Sequence, residues 1–288
     1  MKVLKQLILP FVLAVAVLST LGCGNAATTP LTPQEIAANT VNAYSSVKTV
    51  KIAMNMVVGM NLEGGKQPMK IDMKADATGS IDVAATRMNM LMNVDMNVPV
   101  AGQQKTSTEM YVVDDYLYMK VSVPGAADQW LKTKLSAAVW QQQNQLDQQI
   151  EMLKTAIKVE SLGEEVVDGT NCYVLSVTPD MAALAGFLAS ELQQGASADL
   201  LKNVDVGKVF KSFAVKEWVS KRDYLPLKVD MSMSLEMMPG DVGATSNDFT
   251  KMTMDMTVLG TYSDYNKPVT ITLPAAATSA KETPTTTP

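Results

Sequence analysis

The chain has 288 residues, 47% of them hydrophobic and 18% charged, with 24 basic and 29 acidic side chains and a formal charge of −5. This composition is globular and long enough for one large domain or two small ones; a net acidic chain whose only arginines are Arg87 and Arg222 is a poor match for nucleic acid, where phosphate neutralisation supplies most of the affinity. Histidine is absent, which removes the commonest general base and the commonest metal ligand together.

Residues 1–22 read as an export signal. Lys2 and Lys5 form a basic start, and Leu7 to Leu18 is almost wholly apolar but too short to span a bilayer as a helix. The run ends in Ser19-Thr20-Leu21-Gly22-Cys23, which resembles the bacterial lipobox, with Thr20 where leucine is usual. The resemblance implies cleavage after Gly22 and a diacylglyceryl group on the Cys23 sulfur. The chain would then be anchored to the cell membrane on its extracytoplasmic face. Residues 23–32, small and Thr/Ala-rich, suit a flexible tether. With Cys23 acylated, Cys172 has no partner and no disulfide framework exists.

Thr32-Pro33-Gln34-Glu35 predicts a helix start with a capping box, and the helix runs to about Ser46. The period then changes to two. Val50 to Leu62, Met69 to Ala75 and Met88 to Val98 each alternate apolar with polar residues, which predicts long strands with one apolar face. Gly64-Gly65 is a turn, and shorter strands follow at Glu109–Val113 and Tyr116–Val123 around Asp114-Asp115. Near Leu135 the pattern turns helical, with Leu146, Ile150, Leu153 and Ile157 on one stripe. Strands near Val159–Val167 and Cys172–Val177 flank the turn Asp168-Gly169, and a helix from about Asp180 carries Met181, Leu184, Leu188 and Leu192. Further strands are expected at Phe213–Ser220, Leu227–Met237, Phe249–Tyr262 and Val269–Leu273. Residues 33–274 show no break in composition and read as one domain; residues 275–288 are Ala/Thr/Pro-rich and are expected to be disordered.

A search for catalytic chemistry finds little. There is no phosphate-binding or dinucleotide-binding glycine pattern, no paired-cysteine zinc motif and no nucleophile elbow, so no cofactor, no metal and no enzymatic activity are expected. Ser45-Ser46-Val47-Lys48 matches the S-x-x-K of penicillin-recognising enzymes, but without its K-T-G partner it reads as a helix end. Glu164-Glu165 are adjacent in a strand and therefore point to opposite faces. Cys172 reads as an inert buried thiol, and Trp130, Trp140 and Trp218 read as core anchors or pocket walls.

Methionine is the anomaly, with 21 residues, many spaced by two. Three readings stay open: a core filler, an adaptable lining for a variable apolar ligand, and a thioether site for copper(I). On the second reading the lining is Met54, Met56, Met73, Met88, Met90, Met92, Met231, Met233, Met254 and Met256.

The order of elements and three stretches carry a family resemblance. Glu164-Glu165-Val166-Val167-Asp168-Gly169 precedes Tyr173 to Pro179; Trp218-Val219 leads to Tyr224-Leu225-Pro226-Leu227-Lys228; the domain closes with Tyr262-Ser263-Asp264-Tyr265-Asn266-Lys267-Pro268-Val269. With the lipobox, these resemble the LolA-like lipoproteins, which include periplasmic lipoprotein carriers and mycobacterial lipid-binding lipoproteins. The resemblance implies an α+β fold: a strongly curved antiparallel half-barrel with helices covering its concave face and a cavity for acyl chains between them. It also implies a lipid or acyl chain as the partner, with possible transport and an envelope protein as recipient. A non-transporting interaction or sensor module with a filled core is the alternative.

Overall fold

The computed structural model describes residues 30–64, 68–99, 102–122, 128–135, 156–179, 206–242 and 250–282, together with Gly125 and Trp140. Cys23, the tether and most of the two helices expected over Leu146–Ile157 and Asp180–Leu192 lie outside these residues.

Helix α1 (Pro33–Tyr44) forms as expected. The Thr32 hydroxyl accepts the Glu35 amide proton at 3.2 Å, and the Glu35 carboxylate accepts the Thr32 amide at 2.8 Å. Two of the helix's orphan donors are thereby satisfied, and Pro33 occupies a position where its missing N–H costs nothing. Ile36, Ala37, Thr40 and Tyr44 form the buried face. Thr40 is tolerated there because its hydroxyl donates to the Ile36 carbonyl at 2.9 Å.

The strands are β1 (Thr49–Glu63), β2 (Met69–Asp82), β3 (Arg87–Val98), β4 (Gly102–Val113), β5 (Tyr116–Ser122), β6 (Gln129–Lys134), β7 (Ala156–Val167), β8 (Thr170–Pro179), β9 (Phe210–Ser220), β10 (Pro226–Met237), β11 (Lys251–Ser263) and β12 (Lys281–Glu282). A single helical turn, α2 (Val206–Val209), precedes β9. All twelve strands join one sheet in the order β12-β6-β5-β4-β3-β2-β1-β11-β10-β9-β8-β7. Two meanders, β1 to β6 and β7 to β11, are therefore zipped together along β1 and β11. Every pair is antiparallel except β12 with β6.

The tight hairpins follow from their turn residues. Asp114 and Asp115 at φ 51° and 63°, and Asp168 and Gly169 at φ 46° and 78°, supply the two left-handed residues that match strand twist. Gly79 serves a different need. A Cβ there would lie 2.4 Å from the Asn89 carbonyl oxygen of β3, so only glycine permits this close approach of the two strands.

The expected α+β layering does not form. Among the described residues the sheet dominates, curved but open, and α1 covers only one end of its apolar face instead of a helical layer spanning it. The sheet is larger than the alternation predicts because β4 takes in the polar run Gln103–Ser107 and β6 takes in Gln129–Lys134. Ladder bonds to neighbours, not apolar patterning, hold these segments. Ile157 stands in β7, not in a helix. The strand expected at Val269–Leu273 makes no ladder; prolines at 268 and 274 bracket it and remove donors at both ends. Beyond it, Ala275–Ser279 forms a 3₁₀ turn, and Lys281–Glu282 pairs alongside β6.

Candidate functional site

Register sorts every strand into two faces. On one face, cross-strand rows run perpendicular to the strands: Val50–Ile81–Met88–Val112–Leu117 nearest α1, then Tyr262–Ile52–Gly79–Met90–Met110. Further along lie Val229–Gly260–Met54–Ala77–Met92, Met231–Val258–Met56–Ala75–Val94, Met233–Met256–Val58–Met73–Met96 and Leu235–Met254–Met60–Ile71. All ten methionines named from the sequence fall on this apolar face, spread over β1, β2, β3, β10 and β11. Met60, Met96 and Met252, outside that set, share it by the same parity.

The face is graded along the strands. In the row nearest α1, Val50, Ile81, Met88 and Val112 are each 0% exposed and form the main core with Tyr44, Val47, Ile52, Leu225 and Tyr262. Trp140 packs against it. Met90 and Met233 are also buried. Met54, Met56, Met73, Met92, Met231, Met254 and Met256 are only half-buried. Several of these are flanked by small residues: Met54 lies between Ala77 and Gly260, and Met56 beside Ala75. That spacing leaves each thioether room to change rotamer, which suits a surface that must fit varied shapes.

A buried charged residue stands on this face among the apolar ones. Glu217 of β9 lies between Leu175 of β8 and Val229 of β10, 6% exposed. Among the described residues nothing donates a hydrogen bond to it, and burial pushes its carboxyl up to about 7. Tyr44, Tyr262 and Tyr265 lie near enough to feel its charge, and burial raises all three phenols. The Tyr265 hydroxyl donates to the Pro226 carbonyl at 2.7 Å. Sequence reasoning missed Glu217, although it falls in the apolar parity of Phe213, Val215 and Val219.

The other motifs resolve as structure. The Ser45 and Ser46 hydroxyls donate to the Asn42 and Ala43 carbonyls at 2.6 and 2.7 Å, so the S-x-x-K segment is a helix end. Glu164 pairs with Lys221 and Glu165 with Lys216, on opposite faces. Cys172 is buried in a small cluster with Val174 and Trp218 on the polar face. The Trp218 indole donates to Glu165 at 2.7 Å between Lys216 and Lys228, which lie 4.3 and 4.2 Å from its ring. Trp218 is thus an anchor and not a pocket wall.

A sequence profile described as a family of unknown function, DUF6612, matches residues 32–282. No curated protein matches the chain. Among solved structures, LprF from Mycobacterium bovis is 15% identical, with 84% of this chain and 97% of that chain covered and a TM-score of 0.42. The lipoprotein LppX from Mycobacterium tuberculosis is 13% identical, with 83% and 98% covered and a TM-score of 0.39. A DUF1329 family protein from Desulfovibrio piger is 14% identical, with 83% and 93% covered and a TM-score of 0.25. These overlays are too loose to transfer a shape or a site. The profile match spans most of the chain, which belongs to the DUF6612 family.

Proposed function

We propose that this DUF6612 member is a lipoprotein, held at the extracytoplasmic face of the cell membrane by a lipid on Cys23, that binds a lipid or acyl chain against the apolar face of its sheet. The observation that carries the reading is the gradient along that face. Val50, Ile81, Met88 and Val112 at one end of the face are fully buried, while Leu235, Met254, Met60, Ile71 and Val98, equally apolar, remain half-exposed. Apolar surface left to water is the surface an apolar ligand stabilises on covering, at about 0.8 kcal/mol per buried methylene. Binding would be sequestration: no bond is made or broken, and the thioethers repack around the chain that arrives. Hand-over to an envelope protein belongs to the same reading, as a tethered carrier needs a recipient.

Native mass spectrometry tests this on the chain from residue 23 onward carrying Cys23→Ser. A co-purifying lipid that is released on denaturation is the expected result. Met56→Gln, Met231→Gln and Met254→Gln together should lower its occupancy with the fold retained, since all three are half-buried. Met90 is a poor choice for this purpose because it belongs to the buried end. A clean ligand-free mass after incubation with fatty acids and phospholipids would favour the filled-core alternative, for which burial of Met88, Met90 and Met233 speaks.

A further inference from the structure

We propose that the opposite, polar face carries a second site: an open groove that binds a neutral, hydroxyl-rich oligosaccharide. The groove crosses β11, β1, β2, β3 and β4, lies open to solvent and has a volume of about 710 Å³. It lies where Gly79 lets β2 and β3 close up on one another.

Its charges are already spent on one another. Lys51 at one end pairs with Asp264 at 2.7 Å, and Glu109 at the other pairs with Lys120 at 2.5 Å. A phosphate would meet no unpaired cation here, and an ammonium group no unpaired carboxylate. What the groove does offer is neutral hydrogen bonding. The Thr78, Ser80 and Ser263 hydroxyls make no hydrogen bond to any described residue. Asn89 accepts the Ser80 amide proton at 3.1 Å, which fixes its amide and leaves the NH₂ donors for a ligand.

The second observation is aromatic. Tyr111 forms the β4 wall, backed by the Trp130 ring at 5.9 Å. Tyr118 is its cross-strand neighbour, and Tyr116 follows at 6.2 Å from Tyr118. All four stand on the polar parity, opposite Met110, Leu117, Met119 and Leu131. The rest of that face is largely Asn, Thr, Ser, Asp and Lys. Tyr111, the one of these rings that lines the groove, beside free hydroxyls and an amide matches a pyranose, whose C–H face stacks on a ring while its edge hydroxyls exchange hydrogen bonds. A nucleotide would also stack, but it brings phosphates that this groove does not match.

Isothermal titration of the full chain, in a detergent without a sugar headgroup, tests the site with chitotetraose, cellotetraose and maltotetraose. One of the three is expected to bind. Tyr111→Ala should weaken it by at least about tenfold, the effect of truncating an aromatic anchor, and Thr78→Val should weaken it less. Ser232→Ala, on the polar face outside the groove, should leave it unchanged. Absence of binding by all three sugars overturns the proposal, as does wild-type affinity in a folded Tyr111→Ala chain together with wild-type affinity in Thr78→Val. None of these outcomes depends on whether the apolar face binds lipid.

Discussion

Replacing Glu217 with glutamine probes the least expected residue of the fold. Its carboxyl is 6% exposed, and its value rises from the ordinary 4.5 to about 7 because burial disfavours the charge. An acid raised in the folded state keeps its proton longer there than in the unfolded chain. Its contribution is therefore fully present below about pH 4.5 and is lost as pH rises through about 7. Over roughly 2.5 pH units, at about 1.4 kcal/mol each, the wild-type chain loses about 3 kcal/mol relative to a neutral isostere. Tyr44, Tyr262 and Tyr265, the phenols facing it, are shifted away from this window and stay neutral throughout. The amide has its own buried-polar cost at every pH, so the informative quantity is the pH dependence of the difference. Urea unfolding of both chains at pH 4.5, 6 and 8 reads it. The Glu217→Gln chain should gain on the wild type by about 3 kcal/mol across the series. Parallel stability profiles would mean that Glu217 is solvated or partnered, and the burial argument would fail.

Gly79→Ala should cost about 1–3 kcal/mol, because its Cβ meets backbone at 2.4 Å and the strand must shift. Gly260→Ala should cost less, since its nearest obstacle is the Tyr262 hydroxyl at 3.2 Å and not backbone at 2.4 Å; equal midpoints in urea for the two variants would refute the distinction. Cys172 is fully buried and its thiol is raised by that burial. In a Cys23→Ser chain a disulfide reagent such as DTNB should therefore find no thiol in the native state and one after denaturation, and rapid native labelling would place Cys172 at the surface.

Where one face of a strand is buried, period two made the strand legible. Val50 to Leu62, Met88 to Val98 and Leu227 to Met237 emerge within a residue or so of their expected bounds. The capping box at Thr32 and the hairpin turns at Asp114-Asp115 and Asp168-Gly169 were readable because their chemistry is local. The pairing of β1 with β11 was not, since nothing near Val58 in sequence specifies Met256. The first half of β4 has no apolar parity to betray it, and Val269–Leu273 has the alternation without the donors. Parity predicts from the sequence that each run of candidate methionines shares one face of its strand, but their division into buried and half-buried depends on long-range neighbours that no local pattern records. The groove on the polar face left a fainter trace: Tyr111, Tyr116, Tyr118 and Trp130 occupy positions where the other strands mostly carry Asn, Thr or Lys.

The seam between β1 and β11 also sets an order of events for the growing chain. Val58 must wait for Met256, almost two hundred residues later, before the central strand has both neighbours. Until then two separate meanders each present a long unpaired edge, rich in methionine and β-branched residues, of the kind that recruits other chains. Contacts so distant in sequence are slow to form. A truncation before Lys251 would strand both edges permanently, so such a product should aggregate in proportion to concentration, whereas one ending at Leu273 keeps the seam and should not.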